Sequence, residues 1–196
     1  MNGLKLSFRK SMLILLLACV SLAVAGCSQS GKAQQNNVAD ENKEAIQAVI
    51  EKEFNGPDKK YRELWEAAMA FQTDDMDEEE YNAFQETPEY KELLNYMEET
   101  YAPYFTANAY ETFSRTGAFA YSFSEKDYTL NTDDLEITQS ENEPTLYNFT
   151  FDVNYENESG ETGVYSFEGN SIVPEKGKIG KIQFDDQDGL NQAIQE

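Results

Sequence analysis

Tyr147-Asn148-Phe149-Thr150-Phe151-Asp152-Val153-Asn154-Tyr155 alternates a large apolar residue with a polar one along its whole length. A period of two places Tyr147, Phe149, Phe151, Val153 and Tyr155 on one face of a β-strand and the polar residues on the other. A strand buried on one side only belongs to an antiparallel sheet. Working toward the C-terminus, Asn157-Glu158-Ser159-Gly160 has turn chemistry, and Thr162 to Glu168 reads as the returning partner. Glu175-Lys176-Gly177-Lys178 is a second turn leading into a strand from Ile179 to Phe184, and Leu190 to Ile194 reads as one last turn of helix. On the N-terminal side, Tyr128 to Leu130 and Leu135 to Thr138 read as two shorter strands.

Before Gly117 the apolar period lengthens to that of a helix. Ile46, Val49, Ile50 and Phe54 share one face, with Asp40 as N-cap and Gly56-Pro57 as the stop. Tyr61, Leu64, Trp65 and Ala68 mark a second helix from about Asp58 to Phe71. Asp77 with Glu80 is a capping pair ahead of Tyr81 and Phe84. Thr87-Pro88 is an N-cap followed by an N1 proline, opening a helix whose stripe is Tyr90, Leu93, Leu94, Met97 and Tyr101. A further helix runs from Thr106 to Arg115, with Tyr110 and Phe113 inward. Helices followed by a meander make an α+β fold, with N-terminal helices packed on a curved C-terminal antiparallel sheet. No internal repeat is visible, and residues 42–196 are expected to form one domain.

That layout resembles the nuclear transport factor 2-like superfamily, the cone-shaped α+β fold shared with ketosteroid isomerases. The likeness is carried by the helical half before Gly117, by Tyr104-Phe105-Thr106 through Tyr110 and Phe113 as the lead-in to a last helix, and by the meander ending in Gly177-Lys178-Ile179-Gly180-Lys181-Ile182-Gln183-Phe184. The helical half is longer than is usual there, and the short hairpin often set between the helices is not evident. The resemblance implies a cone-like domain but no activity, because that fold hosts enzymes, binding proteins and domains without chemistry. In the isomerases an acid and a tyrosine line the pocket. Here Asp152 falls on the polar face of its strand and Tyr147 and Tyr155 on the other, so no such pair carries over.

The N-terminus gives an address. Lys5, Arg9 and Lys10 precede an apolar run from Met12 to Val20, and small residues then lead to Cys27. The run is shorter than the about 20 residues of a membrane span and has the form of a secretory signal. Val24-Ala25-Gly26-Cys27 resembles the lipobox of bacterial lipoproteins. The resemblance implies that residues 1–26 are removed by cleavage between Gly26 and Cys27, and that the Cys27 thiol receives a diacylglycerol. The alternative is an ordinary secreted protein cut after Ala23-Val24-Ala25. Two acyl chains anchor a protein stably, so the expected location is the outer face of a cell membrane. Ser28, in place of an Asp, gives no inner-membrane retention signal, and a Gram-positive surface is the first choice. Residues 27–41 read as the lipidated cysteine and a polar tether, reaching roughly 20 Å if flexible.

Composition narrows the chemistry. The chain has no histidine and two cysteines, Cys19 within the signal and Cys27 at its end. Ser-His-Asp and Cys-His catalysis and His-ligated metals are thereby excluded, and the exported domain has no disulfide. Twelve Tyr, twelve Phe and one Trp supply a core instead. The formal charge is −22, and losing Lys5, Arg9 and Lys10 with the signal leaves it more negative still. Such a surface repels nucleic acid and anionic membrane and admits cations or basic protein faces. Asp74–Glu80 and the group Asp185, Asp186 and Asp188 are the two acidic clusters that could attract a hard cation. The first lacks the glycine of an EF-hand loop and reads as a solvated loop plus helix cap; the second reads as an Asp-Gly turn. No catalytic residue, metal site or cofactor is expected. The first functional reading is a non-enzymatic accessory lipoprotein that binds a protein or a small apolar ligand. The rival is a histidine-free enzyme whose pocket holds a buried Asp or Glu facing a Tyr. A buried carboxylate in the cone would separate the two.

Overall fold

The alternating segment is the second strand of a four-stranded antiparallel sheet in the order β1-β2-β3-β4. The strands are β1 (Tyr128–Gln139), β2 (Leu146–Asn157), β3 (Thr162–Ile172) and β4 (Lys181–Asp186). The structure, a computed structural model, describes residues 30–73, 75–124 and 126–195. The chain divides into two compact units, residues 1–38 and 39–196, and the packing described below is that of the second. The expectations for residues 1–29, Gly26 and Cys27 among them, lie outside the described residues. Among the described residues no helix is long and apolar enough to cross a membrane.

On β2, Tyr147, Phe149, Phe151, Val153 and Tyr155 are all buried, while Asn148, Thr150 and Asn154 are exposed. The expected register therefore holds. Phe151 faces Phe167 across the β2–β3 pair, with the rings 5.1 Å apart and nearly parallel. Gly169 lies opposite Phe149, and a Cβ there would come within 2.2 Å of the Gln183 carbonyl oxygen and 2.5 Å of the Phe149 ring. A glycine marks this close approach because no side chain fits. The chain leaves β2 through Asn157, whose Oδ1 accepts from the backbone N–H groups of Ser159 and Glu161, and turns at Gly160 with φ +81°.

Two strand expectations are corrected. Tyr128–Leu130 and Leu135–Thr138 are parts of one strand, β1, interrupted by a bulge. Asp133 pairs with Asp152 and Glu136 with Thr150, so β1 carries one extra residue, and Asp134 there has φ +50°. The extra residue inverts the alternation: Tyr128 and Leu130 point inward before it, Leu135 and Ile137 after it. Farther on, β4 starts at Lys181 and not at Ile179. Ile179 instead makes a parallel bridge with Phe105, donating to the Tyr104 carbonyl at 2.7 Å and accepting from the Thr106 N–H at 3.0 Å.

The helices are α1 (Ser30–Phe54), α2 (Lys59–Met69), α3 (Glu78–Gln85), α4 (Pro88–Tyr101), α5 (Ala107–Thr116) and α6 (Leu190–Gln195). The start of α1 corrects a further expectation. The helix begins at Ser30 and not after Asp40, so it takes in most of the stretch read as a flexible tether. That reading rested on polarity, but Lys, Ala, Gln and Glu are good helix formers, and a polar stretch can be a solvated helix as well as a coil. The other starts follow their caps. Asp58 accepts from Tyr61 N, Asp77 and Glu80 form the reciprocal capping box, and Thr87 accepts from Tyr90 N ahead of Pro88.

The C-terminal end of α1 lies on the inner face of the sheet. The Phe54 ring is 4.5–5.2 Å from the rings of Tyr121, Phe151, Phe167 and Phe184. Asn42 ties the helix to two further places, donating to the buried Tyr147 hydroxyl and accepting from Gly177 N. The segment after α1 covers the edge of β1, where Gly56 and Leu130 exchange both backbone hydrogen bonds. Covering an edge in this way removes a template for pairing with other chains.

Candidate functional site

Glu53 stands at an apolar position of α1. Ile46, Val49, Ile50, Glu53 and Phe54 follow the i, i+3, i+4, i+7, i+8 spacing of one helix face. Its side chain is 2 % exposed. Three donors converge on it: the Tyr101 hydroxyl at the end of α4, the Phe119 N–H at 2.7 Å and the Ala120 N–H at 3.2 Å. Those two amides lie in a tight turn where Phe119 adopts the left-handed conformation, φ +57° and ψ +23°. That conformation is costly for a bulky residue. It is held from two sides, by the carboxylate and by the Tyr61 ring stacked on the Phe119 ring at 4.0 Å.

Burial raises the Glu53 carboxyl from 4.5 to about 7, against the opposing pull of its three donors. Burial and the neighbouring Glu53 carboxylate push the Tyr101 hydroxyl up as well. Asp58 lies next in the same network. It caps α2, accepts from the Tyr96 hydroxyl at 2.8 Å, and its own N–H donates to Ser122 Oγ. Burial, then Asp58, raises Tyr96 to about 12.

A buried carboxylate facing a tyrosine is therefore present, but not where a cone-shaped pocket would need it. Phe54 occupies the inner face of the sheet, and Glu53 points the other way, toward α4 and the Phe119 turn. None of five surface depressions on the folded unit is lined by Glu53 or Tyr101. Asp152, the acid considered from the sequence, stands on the outer face and accepts from Ser166 Oγ at 2.7 Å. Sequence reasoning passed over Glu53, although one acid inside an otherwise apolar helical stripe was the signal to follow.

Two members of each acidic cluster serve the backbone. Asp77 and Glu80 are consumed by their capping box. Asp186 accepts from the N–H groups of Gly189, Leu190 and Asn191, and Asp188 accepts from Ser166 N. Among the described residues, no group of three or more His, Cys, Asp or Glu is placed to hold a metal ion. Asp74 lies outside the described residues.

An apolar groove of about 580 Å³ lies among α2, α4 and α5. Its floor and walls include Trp65, Tyr90, Leu94, Met97 and Tyr110, and its rim carries Glu98, Glu111 and Arg115. The α4 stripe is wider than its neighbours cover. Leu93, Met97 and Tyr101 are buried, whereas Leu94 is 45 % exposed and Trp65 on α2 is 37 % exposed. Both had been expected to face the core. Phe123, 52 % exposed, extends the apolar surface beyond Trp65, with their rings edge-on at 5.1 Å. Arg115, the cation of the rim, is paired with Glu111 at 2.9 Å. Compared with known protein families, with curated proteins and with solved structures, the chain has no match.

Proposed function

We propose that the protein is a lipid-anchored accessory protein on the outer face of a bacterial membrane, and that its folded part binds a partner and performs no chemistry of its own. One observation carries the binding role. The inner face of the sheet, where a cone-shaped domain would hold a substrate, is filled by Phe54 and its ring neighbours, while an apolar groove stays open on the helical side. The anchor rests on Val24-Ala25-Gly26-Cys27 behind a short apolar run. Cys27→Ala is expected to abolish lipid attachment and to leave the protein released or unprocessed. A mature-sized mutant that still fractionates with membranes would remove the anchor from this reading. The binding role is tested by placing a photo-cross-linking amino acid at exposed positions on the helical side and on the outer sheet face in living cells. A discrete higher-mass adduct is expected, and its absence from every position would overturn the role.

A second reading, a histidine-free enzyme with Glu53 as base and Tyr101 as hydrogen-bond donor, is favoured by the raised Glu53 carboxyl alone. It requires solvent to reach Glu53. Labelling of the folded protein with a water-soluble carbodiimide separates the two readings. Glu53 is expected to stay unmodified while surface carboxylates react. Modification of Glu53 at the surface rate would favour the enzyme.

A further inference from the structure

We infer that the groove among α2, α4 and α5 docks a cationic amphipathic segment of a partner protein, apolar on one face and flanked by lysine or arginine. This deepens the proposed binding role and rests on it. The groove has the two properties such a segment needs. Its walls are large apolar side chains on three separate helices, which suits an amphipathic helix laid into a groove. Two of them, Trp65 and Leu94, are left substantially exposed, and isolated soluble domains seldom leave such neighbouring apolar groups uncovered.

Charge chooses the occupant. Glu98 sits one helical turn after Leu94 on α4, close enough to Tyr110 to push its hydroxyl up after burial has done so. Glu111 lies across the groove on α5, and the one rim cation, Arg115, is already paired with it. The whole chain carries −22, which attracts a cationic segment from a distance, and Glu98 offers it a partner at the groove itself. A second copy of the chain would bring the same acidic surface to the groove and be repelled. An anionic lipid surface is disfavoured for the same reason.

Trp65 is the only tryptophan of the chain, so its emission reports the groove directly. The full chain, reconstituted in phosphatidylcholine vesicles, is titrated with a synthetic amphipathic helix of leucine and lysine, and separately with its leucine–glutamate counterpart. The Leu–Lys peptide is expected to shift Trp65 emission to shorter wavelength with saturation, and the Leu–Glu peptide to leave it unchanged. Leu94→Gln, at an exposed position that tolerates a polar residue, is expected to weaken the Leu–Lys response by about tenfold. Thr150→Ala on the outer sheet face is expected to leave it unchanged. A labelled Leu–Lys peptide that binds without moving Trp65, or whose affinity is the same for Leu94→Gln, would overturn the groove as the site and leave the binding role standing. Equal responses to both peptides would overturn the charge requirement. Self-association of the chain alone, abolished by Leu94→Gln, would give the groove to a second copy and overturn the inference. Failure of the binding role itself would show separately, as the absence of any adduct in the cellular cross-linking.

Discussion

Glu53 ties α1 to the end of α4 and to the Phe119 turn, and its consequence is a pH dependence. Unfolded, its carboxyl titrates at 4.5; folded, at about 7, because burial outweighs the three donors. The folded state therefore holds a proton that the unfolded state has lost over that range. The stability this proton lends is complete below 4.5 and is lost as pH rises through 7. The difference corresponds to ~3 kcal/mol at about 1.36 kcal/mol per tenfold change in proton affinity. Glu53→Gln should flatten the dependence of denaturant midpoint on pH between 4.5 and about 7. It should also cost about 1–3 kcal/mol at the acid end, since an amide nitrogen would face the Ala120 N–H in place of an acceptor. An unchanged pH slope in the mutant would mean that Glu53 is not the titrating group. On the sheet, Phe151→Ala should cost about 3–5 kcal/mol as a large-to-small change at a residue 2 % exposed. Thr150→Ala, one position away on the exposed face, should cost under about 1 kcal/mol. Equal losses in urea melts would contradict the register.

The helices and strands were legible where a cap or an unbroken alternation announced them. Asp77 with Glu80, Thr87 with Pro88, and Tyr147 to Tyr155 all act locally, so the sequence contains the whole reason for each. Other features escaped, most of them because their causes are not local. Strand β1 looked like two strands because the bulge at Asp134 switches which parity faces inward. The N-terminal turns of α1 looked like a tether because polarity does not separate a solvated helix from a coil. Trp65 and Leu94 looked like core because their helical period is sound, while the width of the covering layer is a property of the assembled helices. Glu53 belongs with these: an acid in an apolar stripe is noticeable, but its donors come from Tyr101, Phe119 and Ala120, far along the chain. The bulge supports a prediction of its own. Asp134 holds φ +50°, in the left-handed region where a side chain is disfavoured and glycine is not. Its one conformational aid is local, an N–H donated to the Asp133 carboxylate at 2.9 Å. Asp134→Gly should therefore leave stability unchanged or raise it by up to about 1 kcal/mol, whereas Asp134→Val should lower it by more. A thermal melt in which the glycine variant is the less stable of the two would mean that the bulge is not held in this conformation.

At the scale of the whole molecule, part of the excess of acid is lined up in a row on the outer face of the sheet. Pairing across the strands sets Glu136 opposite Thr150, Thr150 opposite Glu168 and Glu168 opposite Asp185. Three carboxylates and one threonine thus form a single row across four strands, all on the solvent side. Like charges directly opposite one another destabilise a sheet. The next row, Thr138, Asn148, Asn170 and Gln183, carries no charge. The two rows lie on the same strands and the same face, so they form a matched pair for measuring the cost of the acidic one. Thr150→Lys would put a cation between Glu136 and Glu168, whereas Asn148→Lys would put one between Thr138 and Asn170. Both positions are exposed, and both variants change the net charge equally. Any benefit from lowering the overall charge is therefore common to the two, and the difference between them isolates the row. Thr150→Lys should be more stable than Asn148→Lys by about 0.5–1 kcal/mol at low ionic strength, within the range for opposite-charge cross-strand pairs. The loss of threonine's own strand preference works against it and keeps the expected gain small. In about 1 M NaCl, where charges are screened beyond about 3 Å, the difference should shrink toward the intrinsic preferences of the residues replaced. Urea melts of the two variants at both salt concentrations decide the matter. A difference that persists at high salt would assign the effect to packing, and no difference at low salt would mean that the row's carboxylates are too well solvated to repel one another.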